Sequence, residues 1–298
     1  MTSVAQTLAE GTALLHDSSA SPRADALLLL AHALNRGREW IVAHGDATPS
    51  QEEAQAFERL SEKRGKGVPV AYLLGSAGFY GREFLVNESV LIPRPETERL
   101  AAEAIPFIGN QSLRVLDVGT GSGAIACTIA AETHATVHAT DISAAAIGVA
   151  KKNAQRLGVA DRCEFLTGDL TEPVKNERYD VVVANLPYIP TAEIPGQPDP
   201  VAYEPRAALD GGPDGLALYR RLLGTLPPLL NPNALILLEA APPTIQGLRD
   251  LMRHSLPHFT LAVCNDYAGL ARYIKAKGAD GLLGPLRPSI GLERERVE

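Results

Sequence analysis

The stretch from Leu113 to Gly123 restricts the fold more than any other part of this 298-residue chain. Leu113-Arg-Val-Leu-Asp-Val118 is a short apolar run that reads as a buried strand. It passes into Asp117-Val-Gly119-Thr-Gly121-Ser-Gly123 and then into a helical pattern ending near Glu132. Glycines at alternate positions let the backbone turn tightly and approach a ligand with no Cβ in the way. About 20 residues further on, a second strand, Thr136 to Thr140, ends in Asp141, where a carboxylate can accept both ribose hydroxyls of a nucleoside.

Strands near residues 113, 136, 162, 179, 234, 259 and 270 alternate with helices, one of them Ser143 to Leu157. That alternation predicts a mainly parallel sheet covered by helices. The last pair, Phe259–Val263 and Leu270–Ile274, has a connection too short for parallel strands, so the last strand is expected to be antiparallel.

Two cofactors fit the glycine loop. Gly119, Gly121 and Ala124 satisfy the loose dinucleotide pattern G-x-G-x-x-G/A. Asp117 favours the other candidate, because a carboxylate inside the loop would repel a pyrophosphate. S-adenosylmethionine has no phosphate and carries a sulfonium and an ammonium group. An antiparallel ending is also unusual for a dinucleotide domain. At a third strand end, Gly168-Asp169-Leu170 puts Asp169 within reach of an adenine amino group, although a plain turn also explains it. Lys151, Lys152 and Arg156 form a solvated helix face.

The run Tyr179–Ala184 is a buried strand that stops at Asn185-Leu186-Pro187-Tyr188. Ligands in open α/β sheets sit outside the carboxyl ends of the strands. These four residues therefore face a substrate, though Asn and Pro are also ordinary turn residues. The Asn185 side-chain oxygen and the Leu186 carbonyl can each accept one N–H of a substrate NH2 group and orient its lone pair. Pro187 restricts Leu186 to an extended backbone.

Residues 1–75 are expected to be helical. Ser21-Pro22 is a helix-start signal, and Ser50 with Glu53 forms a capping box whose helix runs to about Arg64. Trp40 is a packing aromatic, and His16, His32 and His44 share no metal-ligand spacing. Residues 76–92 read as a hairpin linker. Pro93-Arg94-Pro95-Glu96 then forms a stiff loop opening a helix from about Glu96 to Ile105, whose N-terminus could face an anion. The stretch Thr191 to Asp214 is expected to be a substrate-facing loop, with Glu204 and Arg206 pairing or touching the partner. Segment 278–298 has the composition of a disordered tail. Cys127, Cys163 and Cys264 are widely spaced in apolar stretches, which suits reduced, buried thiols in the cytoplasm and neither disulfides nor a zinc site. No apolar run approaches the ~20 residues that span a membrane. The net charge of -7 argues against nucleic acid as a direct substrate.

From about residue 22 to 276 the chain resembles the peptide-chain release factor glutamine N5-methyltransferases, within the class I S-adenosylmethionine-dependent family. The resemblance rests on Pro69-Val-Ala-Tyr-Leu-Leu-Gly75, Phe79-Tyr-Gly81, Leu91-Ile-Pro-Arg-Pro-Glu-Thr-Glu98, Asp117 to Ala126 and Asp141-Ile-Ser143. It rests equally on Asn185-Leu-Pro-Tyr-Ile189, Tyr203-Glu-Pro205 and Asp210-Gly-Gly-Pro-Asp-Gly-Leu216. The glycine loop marks only the broad class, whereas Ile-Pro-Arg-Pro-Glu-Thr-Glu and the last two stretches are far more specific.

The resemblance implies an α/β fold with an N-terminal helical bundle for substrate recognition (1–75) and a hairpin linker (76–92). A Rossmann-like, seven-stranded, mostly parallel methyltransferase domain (93–277) follows. It implies methyl transfer from S-adenosyl-L-methionine to the side-chain amide of a glutamine, in the Gly-Gly-Gln motif of release factors. It assigns Asn185, Leu186, Pro187 and Tyr188 to catalysis. Asp117, Gly119, Thr120, Gly121, Ser122, Gly123, Asp141, Ile142, Asp169, Leu170 and Asn185 are assigned to the cofactor. Arg94, Pro95, Glu96 and Glu204 belong to the substrate or its loop, and no residue is assigned to a metal.

Two departures stand out. Leu186 replaces the family's usual Pro, which keeps the carbonyl acceptor and loses rigidity. Glu239 is followed by Ala240-Ala241-Pro242-Pro243 where relatives have a Gly and a Gln. Asn-Leu-Pro-Tyr also occurs in ribosomal RNA dimethyladenosine transferases. An adenine N6-methyltransferase acting on RNA or DNA and a glutamine methyltransferase of a ribosomal protein are therefore the alternatives. The accessory domain precedes the catalytic one here, whereas the RNA enzymes place theirs after it.

Overall fold

The computed structural model describes residues 2–278. The expected tail lies outside the described residues except for Gly278, which pairs with Phe259 and closes the last strand. The chain forms two compact units. One holds the residues up to Ala77 with 86–88 and 195–204, and the other holds 78–85, 89–194 and the chain from Pro205 onward.

The first unit is helical: α1 (Val4–Leu14), α2 (Pro22–Ala33), α3 (Arg38–Ala43), α4 (Gln51–Gly65) and α5 (Val70–Leu74). Ser50 and Glu53 cap α4 reciprocally, and Ser3 with Gln6 does the same for α1. Pro22 opens α2 as expected, but the Ser21 side chain makes no cap bond. Ser19 acts nearby instead, accepting the Ser21 N–H and donating to Asp25. Asp25 in turn receives the Arg64 Nε at 2.7 Å and ties α2 to α4. Val4, Leu29, Leu30, Ile41 and Phe57 form the apolar centre. Truncating one such side chain to Ala costs about 2–5 kcal/mol. Segment 195–204 belongs to this unit, where the Tyr203 hydroxyl donates to the Lys66 carbonyl.

A two-stranded hairpin, β1 (Ser76–Phe79) and β2 (Arg82–Leu85), carries the chain onward. A 3-10 turn at Pro95–Thr97 leads into α6 (Glu98–Ile108), which runs past Pro106 and ends three residues beyond the expected Ile105. Proline removes only one backbone donor so near the end of a helix, and Gly109 stops it. There follow β3 (Arg114–Val118), α7 (Ala124–Glu132), β4 (Thr136–Asp141), α8 (Ala144–Arg156), β5 (Cys163–Thr167) and β6 (Tyr179–Ala184). The described residues end with α9 (Ala217–Thr225), β7 (Leu230–Glu239), α10 (Ile245–Ser255), β8 (Phe259–Asn265) and β9 (Ala271–Gly278).

The seven strands lie in the order β5-β4-β3-β6-β7-β9-β8. The first five are parallel, and β9 enters antiparallel between β7 and β8. Successive strand residues face opposite layers. Val115, Val181, Val183 and Leu235 pack under α6, α7 and α8, while Leu116, Val182, Ile236 and Leu238 pack under α9 and α10. The chain builds outward from β3 to β5, then restarts on the other side with β6. That reversal leaves a crevice at the carboxyl ends of β3, β4 and β6. The three cysteines are buried and free.

Candidate active site

The glycine loop is held from two sides. The N–H groups of Gly119 and Thr120 both donate to the Thr140 carbonyl, at 2.8 and 2.9 Å. The N–H of Gly121 donates to Asp141 Oδ2 at 2.9 Å. The other Asp141 oxygen accepts the Ser143 N–H at 2.8 Å, at the start of α8. Burial raises the Asp141 pKa while these two backbone donors lower it. From α8, the fully buried Asn153 donates to the Ser122 carbonyl at 2.8 Å and pairs both ways with the backbone of Leu85.

Gly119 has a φ of +75°, and a Cβ there would lie 2.8 Å from Leu186 Cδ2. The left-handed backbone and the absent side chain are both required, because the acceptor loop leans on this spot. Asp117 sits beneath the loop at 0% exposure, with Oδ2 accepting the Thr120 hydroxyl at 2.7 Å and Oδ1 unpartnered. Burial pushes its pKa up to about 7, against the Thr120 hydroxyl and the Ala126 N–H.

A cleft of about 360 Å³ opens beside these elements. Gly119, Thr120, Gly121, Ser122, Asp141 and Ile142 form one wall, and Asp169, Leu170 and Arg94 line it too. Asn185, Leu186 and Pro187 form the acceptor side, and Pro205, Ala207, Ala208 and Asp210 add to the rim. Asp117, Gly123, Tyr188, Pro95 and Glu96 are not among the residues that line the cleft. Glu204 is 5% exposed and belongs to the other unit, and Arg206 pairs with Asp210 at 3.2 Å rather than with Glu204. Asp169 is engaged by Arg221 of α9, which also lines the cleft. An adenine amino group would share that carboxylate with a guanidinium.

The donor set decides between the two candidate cofactors. A dinucleotide needs free loop N–H groups and an open helix N-terminus for its pyrophosphate. Here the N–H groups of Gly119, Thr120, Gly121 and Gly123 are all engaged within the protein. The Asp117 carboxylate adds a negative group near the Ala126 N–H in the first turn of α7, where a pyrophosphate would be repelled. Two carboxylates at the strand ends, Asp141 and Asp169, fit a nucleoside with a cationic sulfonium instead.

The acceptor loop is braced by hydrogen bonds. Asn185 Nδ2 donates to Thr97 Oγ1 at 3.0 Å, which leaves its oxygen for a ligand. The Leu186 N–H donates to Tyr219 Oη at 3.1 Å, and that phenol donates to the Glu239 carbonyl. A proline at 186 has no N–H to give. Against the lost ring stands a tether from Leu186 to α9, and the residue is 3% exposed. Glu239, at the end of β7, is 1% exposed, with Oε2 unpartnered. Burial lifts its pKa to about 7, while the hydroxyls of Thr97 and Tyr188 beside it and the nearby Arg272 hold it down. Tyr188 is pushed up to about 12, first by burial and then by the Glu239 charge.

A family model described as the PrmC N-terminal domain matches residues 6–75, and one described as a methyltransferase domain matches residues 110–223. A release factor glutamine methyltransferase of Moorella thermoacetica is 41% identical over 253 residues, which is 84% of this chain and 89% of that protein. The chain belongs to the release factor glutamine methyltransferase family. Another release factor glutamine methyltransferase, from Rhodopirellula baltica, is 39% identical over 269 residues, 88% of this chain and 91% of that one. A solved methyltransferase from Pyrococcus furiosus shares the fold, at 16% identity and a TM-score of 0.50 over 67% of this chain and 90% of that one.

Five residues that support this site have no role that the sequence assigns. Thr97 lies inside a stretch singled out for its neighbours Arg94, Pro95 and Glu96. Asn153 sits between residues that look like a solvated face, and only its place on the buried side of α8 marks it. Tyr219 and Arg221 lie on α9, far along the chain from Leu186 and Asp169. Glu239 stands out in sequence only as the strand end after which this chain departs from the family, with no role attached.

Proposed function

We propose that this protein methylates the side-chain amide nitrogen of a glutamine in peptide chain release factors, in the cytoplasm. Family membership supports the reaction class, and the acceptor loop supports the substrate chemistry. The observation that carries the reading is the Asn185–Thr97 bond, which commits the amide nitrogen inward and frees the oxygen.

S-adenosyl-L-methionine supplies a methyl group already activated on a sulfonium. The residues suited to hold it are Asp141, at its ribose, and the loop Gly119–Gly123, with Ile142, Asp169 and Leu170 around its base. Asp117 acts from below, by fixing Thr120 and the start of α7.

The protein's own work is positioning. Asn185 Oδ1 accepts one N–H of the substrate amide, and the Leu186 carbonyl accepts the other. Both N–H groups are then fixed and the nitrogen lone pair faces the methyl donor. The two acceptors also favour the positive charge that grows on nitrogen during transfer. Pro187 holds Leu186 extended so that its carbonyl projects. Tyr188 acts from outside the cleft lining, where its hydroxyl faces Glu239. Arg94 lies at the mouth of the cleft, suited to the substrate backbone.

The test is to incubate the protein with radiolabelled S-adenosyl-L-methionine and purified release factor, ribosomal protein or ribosomal RNA. Label is expected on one glutamine of the release factor, located by mass spectrometry. Label confined to RNA or to the ribosomal protein would overturn the reading.

A further inference from the structure

We propose that Glu239 is a positioning residue which, through Thr97, sets which end of the Asn185 amide faces the cleft and so selects a nitrogen that donates hydrogen bonds. The inference rests on the reading of Asn185 as the acceptor for the substrate amide.

The two ends of an Asn side chain have nearly the same shape, so packing cannot choose between them. Hydrogen-bond polarity can. Asn185 Nδ2 lies 3.0 Å from Thr97 Oγ1. A hydroxyl has one proton to give and two lone pairs to accept with. The Thr97 hydroxyl, in a residue 5% exposed, also faces the Glu239 carboxyl. An ionised carboxylate accepts only. It therefore takes the Thr97 proton, and Thr97 is left as an acceptor toward Asn185. The amide nitrogen must turn inward and the oxygen outward.

Protonation of Glu239 lifts that constraint. The carboxyl can then donate to Thr97, and Thr97 can donate to the Asn185 oxygen. The amide is free to turn its nitrogen to the cleft, where it opposes a substrate N–H. With the oxygen outward, the site accepts from glutamine. With the nitrogen outward, it would favour a group that only accepts, such as the carboxylate of glutamate. Sites built for one hydrogen-bonding pattern reject the mismatched analogue strongly, because a buried polar group is left unpaired.

The surroundings of Glu239 permit both states. The Tyr188 phenol faces it from the acceptor loop, Arg272 from β9, and Glu96 from the turn before α6. Tyr219 of α9 feels its charge, and Tyr273 is its register partner on β9. Arg272 is paired with Asp266 at 3.1 Å, so its charge is shared. Oε2 has no partner, and burial brings the carboxyl to about 7.

The test uses full-length wild-type enzyme with Glu239→Gln, Thr97→Val and Thr97→Ser. Single-turnover methyl transfer to release factor is measured at saturating S-adenosyl-L-methionine between about pH 6 and 8.5. The Asn185 side-chain amide resonances are followed by NMR in the free enzyme over the same range. In wild type, the rate is expected to rise with pH, with the Asn185 resonances moving at the same midpoint. Glu239→Gln and Thr97→Val should lower the rate about tenfold or more and flatten both titrations, with cofactor affinity unchanged. Thr97→Ser, which keeps the hydroxyl, should restore what Thr97→Val loses. Asp117 also titrates near 7, and a limb that survives in Glu239→Gln belongs to it.

A Thr97→Val enzyme with the wild-type rate and pH limb overturns the proposal. So does an Asn185 resonance that titrates unchanged in Glu239→Gln, or a Thr97→Ser enzyme as slow as Thr97→Val. If Glu239→Gln does not fold, the two Thr97 variants decide alone. A wild-type enzyme that leaves the release factor unmethylated sinks the substrate reading instead, and the free-enzyme titration still decides the network.

Discussion

The Asp141 carboxylate accepts the backbone N–H of Gly121 at 2.9 Å, so the side chain proposed to hold the ribose also pins the glycine loop. Asp141→Ala should therefore weaken S-adenosyl-L-methionine binding by more than one lost ligand contact explains, about 100-fold or more by calorimetry. Asp141→Asn can keep an oxygen on only one of its two backbone donors, and should fall between. Unchanged affinity in Asp141→Ala would remove the residue from the site.

Asn185→Ala removes one of the two acceptors offered to the substrate amide and leaves the glycine loop intact. Methyl transfer should drop by about 100- to 1,000-fold in kcat, with cofactor affinity largely retained. Near-normal turnover would show that the Leu186 carbonyl suffices and that Asn185 has another role.

The first half of this site was legible in the sequence because its chemistry is local. Strand, glycine loop and Asp141 follow one another, and each has a residue type that few other roles require. The sheet was legible for the same reason, down to the reversed last strand, because the loop between Val263 and Leu270 is too short for a crossover. The braces were not. Thr97 reaches Asn185 across 88 positions of chain, and its place in the Leu91–Glu98 motif says nothing of that partner. The Tyr219 tether depends on the N–H of Leu186, which matters only once α9 is seen to lie beneath the loop. Ser21 shows the opposite error. Its sequence signal was correct for Pro22, yet the local bond went to Ser19.

Tyr219→Phe tests the tether. The phenol accepts from Leu186 and donates to the Glu239 carbonyl, so its loss leaves two buried backbone groups unpaired. Stability by urea denaturation should fall by roughly 1–3 kcal/mol. The kcat should fall as well, since the Leu186 carbonyl loses its fixed direction. A variant as stable and as fast as wild type would show that the bond contributes nothing.

Buried carboxyls make stability fall with rising pH. Glu239 moves from an ordinary 4.5 to about 7 on folding. With the folded value raised, its contribution is fully present below 4.5 and is lost as pH climbs through about 7. Asp117 behaves alike, from 3.8 to about 7. Glu239→Gln stays neutral throughout. Relative to wild type, it should gain on the order of 3 kcal/mol between pH 4.5 and pH 8. Parallel stability curves for the two proteins across that range would contradict the burial cost.

A Gly119→Ala variant meets Leu186 Cδ2 and also strains a backbone at φ +75°. Adding Leu186→Ala should relieve the clash and leave the strain. The pair should then be non-additive in cofactor affinity, by roughly 0.5–3 kcal/mol in calorimetric cycles.

That same contact has a consequence for the order of events. Leu186 lines the cleft while its methyl group lies over Gly119, so the positions proposed for the two ligands share one partition. Anything that settles the glycine loop also settles the face offered to the glutamine, and thermodynamic reciprocity makes the effect equal in reverse. The methyl donor and the protein substrate should bind as cooperating ligands, and departure of either should loosen the hold on the other.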